Sequence, residues 1–151
     1  MIGVRKGFLM NNFLLIGLAP APEATDDSAP NVPAGTTADT LSAILMDVQK
    51  QFADQGDHMD LRKLQLDGSA EATVTAQLAH ATYDCILLGG GLREPENLEL
   101  FERIINSVHR HAPSAAIGLV NLPQDSPEAA ARVLSQDYAR AGLLSASSSL
   151  T

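Results

Sequence analysis

The feature that most constrains this chain is the alternation of short apolar runs with longer stretches of helical periodicity. Three of the runs are apolar at successive positions, which predicts strands buried on both faces and covered by helices. They span residues 13–17, 83–88 and 115–120. A fourth strand is predicted at 58–66, where apolar residues alternate loosely. Arg62 and Lys63 lie within it and favour a position at the edge of a sheet.

Between the runs, apolar residues recur three and four positions apart, which predicts amphipathic helices. These helices span residues 37–55, 70–81 and 97–112, and a last one opens at Asp125. Strands that alternate with helices favour a parallel sheet with right-handed crossovers. We therefore expect an α/β three-layer sandwich with a four-stranded parallel sheet in the order 2-1-3-4, a flavodoxin-like or Rossmann-like arrangement.

The 151 residues favour one domain, placed at 11–143, with an N-terminal extension at 1–10 and a flexible tail at 144–151. The segment 18–37 contains four prolines and predicts a long irregular loop. The first 24 residues imitate a secretory signal, but two asparagines interrupt the apolar stretch, and cleavage would remove the first strand. Met10 is an alternative natural start.

Composition excludes several classes of function. A net charge of −8, with no Trp and six Phe and Tyr residues in total, disfavours binding to nucleic acid. No segment is apolar and long enough to predict a membrane span. A single cysteine, Cys85, rules out an internal disulfide framework and suits a cytoplasmic location. Low aromatic content and an alanine-rich last helix predict a homodimer through that helix or the edge strand.

The stretch Gly89-Gly90-Gly91 follows the third strand and is the strongest candidate for a ligand contact. Backbone N–H groups in such a turn, before a helix, can face an anion, and Arg93 can add a bidentate clamp for carboxylate or phosphate. The alternative is that the glycines only permit a tight turn. Glu94 counts against phosphate and suits the start of a helix.

The other candidate residues come from the topology. Ligands of open α/β sheets bind beyond the carboxyl ends of the strands, where the strand order reverses. Here that point lies between strands one and three, so Gly17 joins the glycine turn as a wall of the site, with Asn121 and Asp125 after strand four. Asp125 also suits a helix cap, and Asn121 can bind loop backbone instead.

Other sites are disfavoured. The four histidines do not fall at metal-ligand spacing, and His58 stands isolated, so we expect no metal site. No lysine follows a glycine-rich loop and no G-x-G-x-x-G follows strand one, so neither a P-loop nor a standard dinucleotide site is expected. No phosphoacceptor aspartate ends strand three, and no G-x-S-x-G nucleophile motif occurs. The expectation is that the protein carries no cofactor.

Two stretches, FLLIGLAP and YDCILLGGGLREPENLELFERIINSVHRHAPSAAI, resemble a family of small bacterial and fungal proteins of unknown function. Members of that family open with a strand leading into GLDP and later carry YDCVVIGAGIR. This chain departs from the pattern at Ala19, where an acidic residue is expected, and at Gly90, where alanine is usual. The resemblance implies a Rossmann-like fold and lends no activity.

Two functional hypotheses follow from the sequence. The first is a small non-catalytic domain that binds a small anionic ligand or a partner at the carboxyl ends of strands one and three. The second is a small cytoplasmic enzyme that acts on an anionic metabolite, with Arg93 assisted by an acid such as Glu94 or Asp125.

Overall fold

A computed structural model describes residues 11–18 and 38–135 of the chain. Four of the regions considered above lie wholly or partly outside these residues. They are the N-terminal extension 1–10, nearly all of the loop 18–37, the end of the last helix, and the tail 144–151.

Four parallel strands form one sheet in the order β2-β1-β3-β4. Their bounds are β1 Asn12–Leu18, β2 His58–Leu64, β3 Cys85–Leu88 and β4 Ala116–Leu119. The predicted strand order and the parallel pairing are both confirmed. β1 is central because its residues are apolar on both faces, and it pairs with β2 on one side and β3 on the other.

Helices cover both faces of the sheet, so the three-layer α/β sandwich is confirmed. They are α1 Ala38–Asp54, α2 Ala70–His80, α3 Leu98–His111 and α4, which begins at residue 126 and is described to 135. Alternate residues of β1 enter two separate cores: Phe13 packs with the α1 and α4 side, and Leu14 with the α2 and α3 side. This alternation follows from the two-residue period of a strand.

The connection from α1 to β2 is tight, and its glycine is required. Gly56 has a φ of 87°, a backbone conformation that residues other than glycine rarely adopt. Its N–H donates to the Ala53 carbonyl at 2.9 Å. The N–H of Asp57 closes the helix end on the Phe52 carbonyl at 3.0 Å. Gly56 thus ends α1 as the sequence predicts.

The fourth strand differs from its prediction. Ile117 and Leu119 of β4 are 37% and 43% exposed, although both faces of this strand were expected to be covered. The buried core on that side is built from β1, β3, α2 and α3, together with Leu64 at the end of β2. On the other face Gly118 lies close to Leu87 and to Val133 of α4. Only one face of β4 is therefore packed by the described residues.

Candidate functional site

The carboxyl ends of β1 and β3 meet in close backbone contact. The N–H of Gly89 donates to the Ile16 carbonyl at 2.8 Å. A Cβ atom at residue 89 would lie 3.2 Å from that carbonyl oxygen and 3.5 Å from the Cα of Gly17. Glycine at 89 is thus explained by packing, whereas a Cβ at Gly17 would meet open space.

The chain after Gly89 forms two short 3-10 turns, Gly90–Arg93 and Pro95–Asn97, before α3 begins at Leu98. The glycines therefore lead into a 3-10 turn and not directly into the α-helix. Leu92 is fully buried and anchors the first turn. The side chain of Asn97 donates from Nδ2 to the Gly91 carbonyl at 2.9 Å, which holds the two turns together.

Two backbone N–H groups of this turn have no hydrogen-bond partner among the described residues. They belong to Gly90 and Gly91, while Leu92 N–H donates to the Gly89 carbonyl at 3.2 Å. Gly90 is buried. Buried N–H groups are nearly always paired in proteins, so we expect the Gly90 N–H to have an acceptor outside the described residues.

Arg93 joins the turn to the end of β4. Its Nη2 donates to the Val120 carbonyl at 2.9 Å, and no other described residue accepts a hydrogen bond from it. A guanidinium carries five N–H donors, so four are left unused by the described residues. The structure thus places Arg93 across the strand ends, beside Asn121, whose exposed side chain makes no hydrogen bond to a described residue.

The two acidic candidates are placed differently. Asp125 closes the turn before α4 with two hydrogen bonds to Leu122. Its Oδ2 accepts from the Leu122 N–H at 3.2 Å, and its own N–H donates to the Leu122 carbonyl at 2.9 Å. Ser126 is fully buried and donates to the Pro123 carbonyl at 2.7 Å in the same turn. Glu94 is half-buried next to Arg93 in the chain. Asp125 therefore has a structural role that accounts for its position.

A polar network that the sequence interpretation missed lies along the outer strand β2, where α2 packs against it. His58, treated above as isolated, contacts Asp60 at 2.7 Å through Nε2 and Oδ1. The Tyr83 hydroxyl donates to the other Asp60 oxygen at 2.5 Å and accepts from Gln77 Nε2 at 2.6 Å. Arg62 completes the network by donating to Gln77 Oε1 from Nε at 3.0 Å.

The sequence contained a signal for part of this network. Residues 58, 60 and 62 alternate along β2, so their side chains share one face of the sheet. The contribution of Gln77 and Tyr83 depends on how α2 and the start of β3 pack against β2, which no local pattern encodes.

The network shifts the pKa of two of its members. Partial burial alone would raise the pKa of Asp60, but hydrogen bonds from Tyr83 and His58 and the charges of His58 and His80 together lower it below its usual value. Burial, followed by the hydrogen bond to Asp60, raises the pKa of Tyr83 from 10.0 to about 12. These groups have a structural role, since Tyr83 is buried and ties β2 to the segment that precedes β3.

Within residues 11–18 and 38–135, no cluster of three or more His, Cys, Asp or Glu side chains has the geometry to hold a metal ion. Cys85 is fully buried in β3. None of the described helices has the length and apolarity needed to cross a bilayer. The chain matches no family model and no curated protein.

Proposed function

We propose that the protein is a small α/β domain that binds a small anionic ligand at the carboxyl ends of β1 and β3. The ligand contacts the N–H groups of Gly90 and Gly91 and the guanidinium of Arg93. Gly17 and Gly89 form the floor of the site, and Asn121 lies at its rim beside the end of β4. Residues of this kind bind carboxylate and phosphate groups in other proteins.

The observation that supports this proposal is an excess of hydrogen-bond donors over acceptors at one edge of the sheet. The N–H groups of Gly90 and Gly91 have no partner among the described residues, and Arg93 uses one of its five donors there. A buried donor without a partner destabilises the folded state by about 1–3 kcal/mol. An acceptor bound at Gly90 removes this cost and so stabilises the fold.

The charge of the surroundings limits the ligand. Glu94 lies next to Arg93, and the chain carries a net charge of −8, so a polyphosphate or a nucleic acid is disfavoured. A single carboxylate or one phosphate group suits a site with one arginine. We place the protein in the cytoplasm, in keeping with its single buried cysteine.

Binding is preferred to catalysis because of Asp125. An enzyme that acts on an anionic metabolite would need an acid or base beside Arg93. Of the two acids considered, the Asp125 carboxylate closes its own turn on Leu122, which leaves only Glu94 for that role. The resemblance to small bacterial and fungal proteins of unknown function agrees with the Rossmann-like sheet and adds no catalytic group.

A thermal-shift series tests the proposal. Inorganic phosphate and a panel of small mono- and dicarboxylates are titrated into the parent protein and into Arg93→Ala. A ligand that binds only the folded state stabilises it by RT ln(1 + [L]/Kd), about 2.7 kcal/mol at a hundredfold excess over Kd. We expect at least one compound to raise the melting temperature of the parent and to lose most of that shift in Arg93→Ala.

The matched control is Arg132→Ala. Arg132 also donates to a backbone carbonyl at the end of β4, that of Leu119 at 3.2 Å, so both variants lose one positive charge and one such hydrogen bond. The ligand-induced shift should persist in Arg132→Ala. Equal shifts in the parent and Arg93→Ala, or no shift with any compound, would contradict the proposal.

A further inference from the structure

The connection from β2 to α2 contains a pair of residues with a covalent chemistry of its own. Asp67 is followed by Gly68, which makes the single Asp-Gly pair of a chain that has no Asn-Gly pair. An aspartate before glycine can convert to isoaspartate without an enzyme, because glycine has no Cβ to shield its backbone nitrogen. Gly68 has a φ of 87°, so the turn favours glycine at this position and retains the reactive pair.

The conversion needs only these two residues and water. The Gly68 nitrogen attacks Cγ of the protonated Asp67 carboxyl group, so that a C–N bond forms and a C–O bond breaks. The hydroxyl leaves as water with the amide proton, and the product is a five-membered succinimide. Water then opens the ring at one of its two carbonyls. Opening at Cγ restores aspartate, whereas opening at the former main-chain carbonyl leaves isoaspartate, linked to Gly68 through Cγ.

The Gly68 nitrogen is accessible for this attack. Asp67 and Gly68 are both exposed, and a Cβ at residue 68 would meet open space. The Gly68 N–H donates to no described residue. Residues 65–69 form neither helix nor strand, so the backbone can bring the nitrogen to Cγ without breaking an element of secondary structure.

Ser69 opposes the attack with two hydrogen bonds to the same carboxylate oxygen. Its Oγ donates to Asp67 Oδ1 at 2.5 Å, and its N–H donates to that oxygen at 3.1 Å. The hydroxyl bond, followed by the backbone bond, lowers the pKa of Asp67 below its usual value. The ionised form reacts poorly, because a carboxylate oxygen must be protonated before it can leave as water.

We propose that Asp67 is a site of spontaneous isoaspartate formation and that the Ser69 hydroxyl slows this reaction. Isoaspartate adds one methylene group to the main chain between β2 and α2, and it displaces the carboxylate that Ser69 binds. Ala70, the first residue of α2, is buried directly after this turn. The modification therefore alters the connection next to the core.

Peptide mapping of aged protein tests the proposal. The parent is incubated at physiological temperature and pH, digested with trypsin, and analysed for the peptide of residues 64–93. We expect a second form of this peptide with unchanged mass, which a protein isoaspartyl methyltransferase labels and whose fragmentation places the altered linkage at Asp67. Aged protein without isoaspartate, or with isoaspartate at Asp84 of the same peptide instead, overturns the proposal.

Asp125 is an internal control in the same sample. It precedes Ser126, which is fully buried, and its carboxylate is bonded to the Leu122 N–H. We expect Asp125 to stay unmodified while Asp67 reacts. Equal conversion at Asp67 and Asp125 would mean that the open turn confers no selectivity, which contradicts the proposal.

Three variants assign the roles of the two side chains. Ser69→Ala removes the hydroxyl donor and should form isoaspartate several-fold faster, whereas Ser69→Thr keeps a hydroxyl and should react at the rate of the parent. Asp67→Glu cannot form the five-membered ring and should lose the signal. Melting temperatures verify that all variants are as folded as the parent. Equal rates in the parent and Ser69→Ala, or a signal that persists in Asp67→Glu, overturn the assignment.

Discussion

At the scale of single residues, the buried tyrosine of the polar network shows how packing alters chemistry. Tyr83 is 4% exposed, and its hydroxyl lies between the Asp60 carboxylate and Gln77. Burial deprives an ionised Tyr83 of hydration, and ionisation would also remove the proton that Tyr83 donates to the Asp60 carboxylate. The pKa of Tyr83 therefore rises from 10.0 to about 12.

This shift predicts a specific loss of stability in alkali. A folded-state pKa above the unfolded value means that the stabilising contribution is fully present below pH 10.0 and is lost as pH rises towards 12. The urea midpoint of the parent should therefore fall more steeply over this interval than that of Tyr83→Phe, which has no hydroxyl to ionise. Midpoints that fall in parallel would show that Tyr83 does not titrate differently in the two states.

At the scale of elements, α3 is held by a narrow apolar face and by one buried polar contact. Ile104 and Val108 are fully buried against the sheet. Ser107 lies between them and contacts the Thr75 hydroxyl of α2 at 3.0 Å, which joins the two helices. Phe101 packs against this core and is half-buried.

Substitutions in α3 should follow this burial. Ile104→Ala leaves a cavity in a closed core, and we expect it to lower the free energy of unfolding by ~2–5 kcal/mol in urea denaturation. Phe101→Ala should cost less, because its ring is half-buried. Leu98→Ala is the control, since Leu98 lies on the same helix and is 65% exposed. Equal losses for Ile104→Ala and Leu98→Ala would mean that the buried face of α3 is assigned wrongly.

Sequence patterns predicted those features of the fold that depend on local periodicity. The double apolarity of 13–17 predicted a central strand, and Arg62 with Lys63 predicted an edge. The apolar run predicted a strand from residue 83, whereas β3 begins at Cys85. Tyr83 instead contacts Asp60 and Gln77, which lie on other elements and leave no trace in the local pattern. The open face of β4 was also hidden, since an apolar run does not reveal whether a helix lies above it.

The candidate site was predictable in position and less so in detail. Parallel topology placed Gly89–Arg93 at the carboxyl edge of the sheet. The direction of the Arg93 side chain towards Val120 and the bond between Asp125 and Leu122 depend on the path of the loop after β4. The three consecutive glycines also differ: Gly89 is explained by the approach of Ile16, while the N–H groups of Gly90 and Gly91 have no described partner.

At the scale of the whole molecule, the proposed ligand site lies beyond the carboxyl ends of the strands, on the side where β1 and β3 meet. It contains Arg93 and the amides of Gly90 and Gly91, which have no hydrogen-bond partner among the described residues. The polar network of His58, Asp60, Gln77 and Tyr83 lies apart from it, along the outer strand β2.

The central claim is that the amides of Gly90 and Gly91 bind an anion, and NMR measures this directly. A two-dimensional ¹⁵N–¹H spectrum of the parent is followed while the best compound of the thermal-shift series, or inorganic phosphate, is added. The account predicts saturable shifts that are largest for the Gly90 and Gly91 amides and the Arg93 side chain. It predicts little change at Gly56, which closes a turn at the far edge of the sheet. Shifts that are uniform over the chain, or that centre on His58 and His80, would contradict it.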